Sequence, residues 1–145
     1  MTIDELKQYC GNEFSNIDRI LNELFTVFKL EKAEYTLAEQ AAISTYIMNT
    51  YSAVESILKQ MLLYDKLDVG DAPGWHEKVL RKAGEIGIVP PDLLHTIFKY
   101  LAFRNYFIYT YMFNIKWEDM KPLVEGVKEM ITQIRSETDE YLQTI

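Results

Sequence analysis

The sequence predicts an all-α protein: an up-and-down antiparallel bundle of four to five helices, forming one domain over residues 1–145. Three observations predict it. Apolar residues recur every three or four positions along most of the chain, the period of an amphipathic helix. No segment alternates apolar and polar residues for long enough to make a convincing strand. Glycine and proline number only 6 and 4, too few for the many tight turns of an all-β fold. Long helices joined by short loops pack antiparallel. A chain of 145 residues hides roughly two thirds of its unfolded surface, and its 48% hydrophobic content excludes a disordered polymer.

The first helix spans Ile3 to about Leu30. Ile3, Leu6, Cys10, Phe14, Ile17, Leu21, Leu24 and Phe28 form its apolar stripe, and Cys10-Gly11-Asn12 is where it can kink. The second runs from about Thr36 to Leu63. Thr36 as N-cap with Glu39 three residues later makes a capping box. Its inner stripe is Ala41, Ser44, Met48, Tyr51, Val54, Ile57, Leu58, Met61 and Leu62. Asp65 to Gly74 (DKLDVGDAPG) is the clearest loop. A third, shorter helix follows from Trp75 to about Ile86, ended by Gly87. Pro90-Pro91 is the next break. Pro91 suits a first helical turn and Asp92 the positive helix end, so the fourth helix runs from about Asp92 to Met112. Asn114 and Ile115 lead into the last helix, about Lys116 to Leu142, with Pro122 in its early turns.

Formal charge is −7, from 15 basic and 22 acidic residues, which argues against a general nucleic-acid coat because phosphate contacts need Lys and Arg. The charge is uneven. Trp75 to Lys116 holds Lys78, Arg81, Lys82, Lys99, Arg104 and Lys116 against Glu77, Glu85 and Asp92, a net of +3, leaving −10 elsewhere. That stretch is either ordinary surface scatter or a local anion-attracting face. The one cysteine, Cys10, excludes an intramolecular disulfide and suits a reducing compartment. With 1 Cys and 2 His, neither a metal site of thiolate and imidazole ligands nor a cofactor is expected. The longest uncharged run, Gln40 to Val54, is 15 residues and broken by polar side chains, too short to span a bilayer. MTIDELKQYC lacks the basic-then-apolar pattern of a signal peptide, so a soluble cytoplasmic protein is expected, with no membrane partner.

Aromatic residues crowd the end of the fourth helix. Eight of the chain's 19 fall between Phe98 and Phe113. A helix apolar all round must be buried on most sides, and a bundle this small has little room for one. A second copy packing on its outer face would provide the cover, so a homodimer is expected, the alternative being a central core helix in a monomer. One charge, Arg104, sits inside this segment, followed by Asn105. On a continuing helix Tyr111 lies about 20° around from Arg104 and Tyr109 about 140°. Arg104 can clamp a phosphate with Asn105, Lys99 and the tyrosines beside it, or it can pair with Glu55, the only carboxylate between Gln40 and Leu63.

The segment Phe103-Arg104-Asn105-Tyr106-Phe107-Ile108-Tyr109-Thr110-Tyr111 resembles the signature of HEPN-domain proteins, particularly the HepT-like branch: Arg, four residues, His, any residue, Tyr. Trp75-His76-Glu77-Lys78-Val79-Leu80 resembles the Trp-His-x-x-Leu-Leu opening of one HepT-like subgroup. Gly87-Ile88-Val89-Pro90 and Trp117 through Lys121-Pro122-Leu123-Val124 resemble it too. The resemblance covers roughly Tyr46 to the C-terminus. It implies a HEPN-like all-α bundle, usually a homodimer, in which active members join the Arg and His of both chains to cleave RNA without a metal. HepT-like proteins typically act as toxins beside a small nucleotidyltransferase antitoxin, and in some pairs the partner adds AMP to the motif tyrosine, here Tyr111.

The chain departs from the signature at one place, where Tyr109 occupies the histidine position. Histidine, ordinarily near 6.5, exchanges protons at neutral pH; tyrosine, ordinarily near 10, is a poor base there. His76 and His95, opening the third helix and lying in the fourth, are expected to be ordinary surface or capping histidines. The candidate catalytic residues are therefore Arg104, Tyr109 and Tyr111. Three readings follow: a HepT-like protein that binds a nucleotidyltransferase and has weak or lost ribonuclease activity; an active metal-independent ribonuclease toxin; or a helical dimerisation or adaptor module with no enzymatic role.

Overall fold

The computed structural model describes all of residues 1–145. It contains five α-helices, α1 (Ile3–Val27), α2 (Leu37–Tyr64), α3 (Trp75–Glu85), α4 (Pro91–Phe107) and α5 (Trp117–Thr144), with a 3₁₀ turn at Met112–Asn114 and no strand. The helices pack as a bundle around one contiguous hydrophobic core to which all five contribute. No helix is long and apolar enough to cross a membrane.

Local chemistry sets most boundaries. Thr36 accepts from the Glu39 backbone N–H at 3.1 Å, and the Glu39 carboxylate accepts from the Thr36 N–H at 2.9 Å, the capping box expected from the spacing. Lys32 bonds to the same carboxylate and, with the Thr36 backbone, holds it below the usual carboxylate range. Thr2 and Glu5 build a second box at the start of α1, which the sequence reading did not single out. Helix α1 passes straight through Gly11 and ends at Val27, a little short of the expected Leu30. At the end of α3, Gly87 adopts φ +82°, so the Ile88 N–H can return to the Ala83 carbonyl at 3.0 Å. Gly84 has a different reason: a Cβ there would meet Leu94 Cδ2 at 2.6 Å, so the missing side chain lets α3 and α4 approach closely.

Helix α2 occupies the middle of the bundle, packed against α1, α3, α4 and α5. Its expected stripe is largely buried, and so are Ile43, Ile47, Thr50 and Ala53. Helix α2 is buried on most sides but keeps an exposed strip of Thr45, Asn49, Ser52 and Leu63, in line with the expectation that so small a bundle has little room for a fully enclosed helix. The aromatic helix is not the most buried one. Helix α4 buries Leu93, Ile97, Tyr100, Leu101 and Phe103, with the Tyr100 hydroxyl donating to the Leu123 carbonyl at 2.6 Å, and it ends at Phe107 rather than Met112. The chain must reverse there. Ile115 is buried, and Trp117 packs against Tyr35 with ring centres 4.7 Å apart, so residues 108 to 116 have to return to the bundle. Tyr109 and Thr110 N–H groups accordingly reach back only three residues, to the Tyr106 and Phe107 carbonyls, in place of the four-residue helical bond.

Candidate functional site

Arg104 lies in the last turn of α4, half-buried, and its Nη1 donates to Asn105 Oδ1 at 3.0 Å. No carboxylate lies within ion-pair distance of it. The pairing with Glu55 left open by the sequence does not form, because Glu55 is committed elsewhere. Its Oε2, buried in α2, accepts from the Tyr51 hydroxyl at 2.7 Å and meets His76 Nδ1 at 2.8 Å. Arg104 still acts on this group electrostatically. Burial, then the Glu55 charge and hydrogen bond, hold the Tyr51 hydroxyl far above the usual tyrosine range, and the Arg104 charge pulls it the other way.

The tyrosines are placed differently from the expectation. Tyr109 lies just past the end of α4 and is 88% exposed; Tyr111 precedes the 3₁₀ turn and is 73% exposed. The helix on which Tyr111 was expected to share a face with Arg104 stops at Phe107, so the angle inferred from their spacing does not apply. Tyr111 instead stacks on Phe113, ring centres 5.4 Å apart and 15° from parallel. The Tyr106 hydroxyl donates to the Asn114 carbonyl at 3.3 Å, bracing the turn. With Ile108, these residues give an exposed apolar surface next to Arg104 and Asn105. Lys99 is exposed on α4 but five residues before Arg104, about 140° around the helix, so the fold does not bring it to the same face.

The histidines also part company. His95 is exposed on α4, as expected of a surface histidine. His76 is not ordinary: it is half-buried in the first turn of α3, tied to Glu55, with Trp75 stacked on it at 3.7 Å between ring centres. Lys59 Nζ lies 4.0 Å from the centre of the Trp75 ring. Sequence reasoning missed this group. Its signal was Tyr51 and Glu55 four residues apart on a buried stripe, because a carboxylate buried there must find donors.

No three His, Cys, Asp or Glu side chains converge to hold a metal ion. A surface groove of about 840 Å³ between α1 and α5 contains none of the candidate residues. Its one arginine, Arg135, is engaged by Asp18 at 2.6 Å and lies over the Phe14 ring. The groove is thus a seam between two helices.

An all-α bundle with an arginine closing its fourth helix, followed at once by exposed tyrosines, has the layout of a HEPN-type protein. The chain belongs to the HepT-like family: the family described as HepT-like protein matches residues 42–145, most of α2 and everything after it. No curated protein and no solved structure matches the chain.

Proposed function

We propose that this protein is the HepT-like component of a toxin–antitoxin pair, that it binds a small nucleotidyltransferase partner, and that its ribonuclease activity is weak or lost. The observation that carries this reading is the placement of Tyr109. At the position where the signature has its proton-transferring histidine stands a tyrosine that is 88% exposed outside α4. Water screens it on nearly every side, and tyrosine is a poor base at neutral pH. Arg104 keeps the other half of the chemistry: a guanidinium free of carboxylates, able to make two parallel hydrogen bonds to a phosphate, with Asn105 at its side.

The exposed surface of Ile108, Tyr109, Tyr111 and Phe113 supports association. Tyrosine-rich, partly apolar faces suit protein contacts. We assign it to the homodimer contact, with Arg104 at its edge. The Tyr111 hydroxyl is open to a transferase, which fits its proposed role as the AMP acceptor.

Expressing the protein with and without a small nucleotidyltransferase encoded beside it tests the reading, and the lack of such a gene counts against it. Co-purification of the two proteins and at most mild growth inhibition by this chain alone are the expected outcomes. Strong toxicity with robust RNA cleavage, abolished by Arg104→Ala, would instead establish the active toxin. Tyr109→His is expected to raise cleavage, because positioned proton transfer contributes about a hundred- to ten-thousandfold. Sedimentation should show a dimer at micromolar concentration.

A further inference from the structure

The basic stretch from Trp75 to Lys116 left two readings open, surface scatter or an anion-attracting face, and the fold gathers part of it on one side of α3. Lys78 and Lys82 lie one helical turn apart, with Arg81 beside them. The three line a depression of about 290 Å³ whose other walls are Val69 and Glu85. Arg81 and Glu85 also form the edge of a second depression, about 310 Å³, between α3 and α4. Its apolar wall is Val89, Leu94 and Phe98, and Gly84 contributes only backbone. The Arg81 guanidinium lies 5.5 Å from the centre of the Phe98 ring, so one side chain joins the basic and the apolar halves.

The cations of this face are not locked into the fold. Lys78 has no carboxylate within ion-pair distance, and Arg81 and Lys82 meet only Glu77 at 3.6 Å and Glu85 at 3.3 Å on their own helix. Exposed pairs of that kind contribute little, so an incoming carboxylate can take over either cation. Outside Trp75 to Lys116 the chain carries −10, which repels an acidic partner elsewhere and steers it here. Leu94 and Phe98 are only half-buried, so an apolar side chain laid on them removes surface that water now covers. An open groove with one apolar and one basic half suits an extended chain better than an enclosed small molecule. A polynucleotide fits less well, because three cations interspersed with Glu77 and Glu85 neutralise few phosphates.

We propose that this α3–α4 face is a docking site for an acidic segment of a protein partner. The segment lays an apolar anchor residue on Leu94 and Phe98, and carboxylates beside the anchor pair with Lys78, Arg81 and Lys82. Neither depression includes Arg104 or any residue after it, so the site is separate from the signature and the inference does not rest on the toxin–antitoxin reading.

The test selects binders of the full-length protein from a displayed library of random dodecapeptides and measures the enriched peptides by fluorescence anisotropy. The expected peptides carry an aromatic or aliphatic residue flanked by Asp or Glu, and their binding weakens as salt is added. Arg81→Glu, and Lys78→Glu combined with Lys82→Glu, should each weaken binding by at least about tenfold. Lys121→Glu combined with Lys128→Glu makes the same charge change at exposed positions of α5 and should leave binding unchanged. Phe98→Ala should weaken binding too; if that variant melts early, backbone amide shifts of Leu94 and Phe98 in the wild-type complex read the apolar half instead. Failure to enrich any peptide, enriched peptides with no excess of acidic residues, or equal losses in the two double variants would each overturn the proposal. So would displacement of the peptide by equimolar ATP or oligouridylate, which would make the face a phosphate site.

Discussion

Helix α2 and the segment from Tyr106 to Phe113 are both rich in large apolar side chains, and the fold treats them in opposite ways. Helix α2 is buried on most sides, with Ile43, Ile47, Val54, Ile57, Leu58 and Met61 all at most 1% exposed. The segment that ends α4 leaves Tyr106, Ile108, Tyr109, Tyr111 and Phe113 at 44% exposed or more. The buried charge also sits in α2: Glu55 is satisfied by a hydroxyl and an imidazole, whereas Arg104, at the rim, needs only water and Asn105. Apolar content alone therefore does not say which helix is central. What separates them is a polar handle: three of the five exposed residues are tyrosines, whose hydroxyls tolerate water, while most of those lining α2 are aliphatic.

The comparison breaks most visibly in the middle of α2. Leu58→Ala should cost about 2–5 kcal/mol, read as a lower denaturant midpoint at unchanged slope, because a fully enclosed site cannot collapse onto the missing atoms. Cys10 probes the packing of α1 in the same core. Burial, then Asp139 and Glu13, push its thiol up to about 11, so at pH 8 the native protein should react with iodoacetamide roughly a hundredfold more slowly than free cysteine. The thiolate is the nucleophile, so the rate should climb about tenfold per pH unit until pH passes the raised value; a flat profile would show that local opening, not thiol ionisation, controls access. Tyr51→Phe removes the hydrogen bond into Glu55 and should cost about 1.5–3 kcal/mol by chemical denaturation. Smallest of all, Tyr109→Ser with Tyr111→Ser should change monomer stability by no more than about 0.5 kcal/mol. The same pair should move sedimentation from dimer towards monomer. A large stability loss there would mean that the segment belongs to the core after all.

The elements were legible wherever a local signal existed. Thr36 with Glu39, Gly87, and Pro91 each mark a helix end within a residue or two, because caps and breakers act through neighbouring backbone groups. The end of α4 was not legible. Nothing in Phe107-Ile108-Tyr109 stops a helix locally; the stop comes from Ile115 and Trp117, which must return to a core built mainly by other segments. The error carried into the site, since the Arg104–Tyr111 relation assumed a helix running to Met112.

By itself, the sequence determined the helical class, the capped boundaries, the family resemblance through Arg104 to Tyr111, and the substitution of Tyr109 for histidine, all of which depend on residue type and short spacings. Tertiary structure decided which apolar helix is most buried, that Arg104 does not pair with Glu55, and that His76 does. Glu55 and His76 are 21 residues apart with the Asp65 to Gly74 loop between them. Periodicity orders residues only within one helix; which donor a buried carboxylate meets is fixed when separate helices pack.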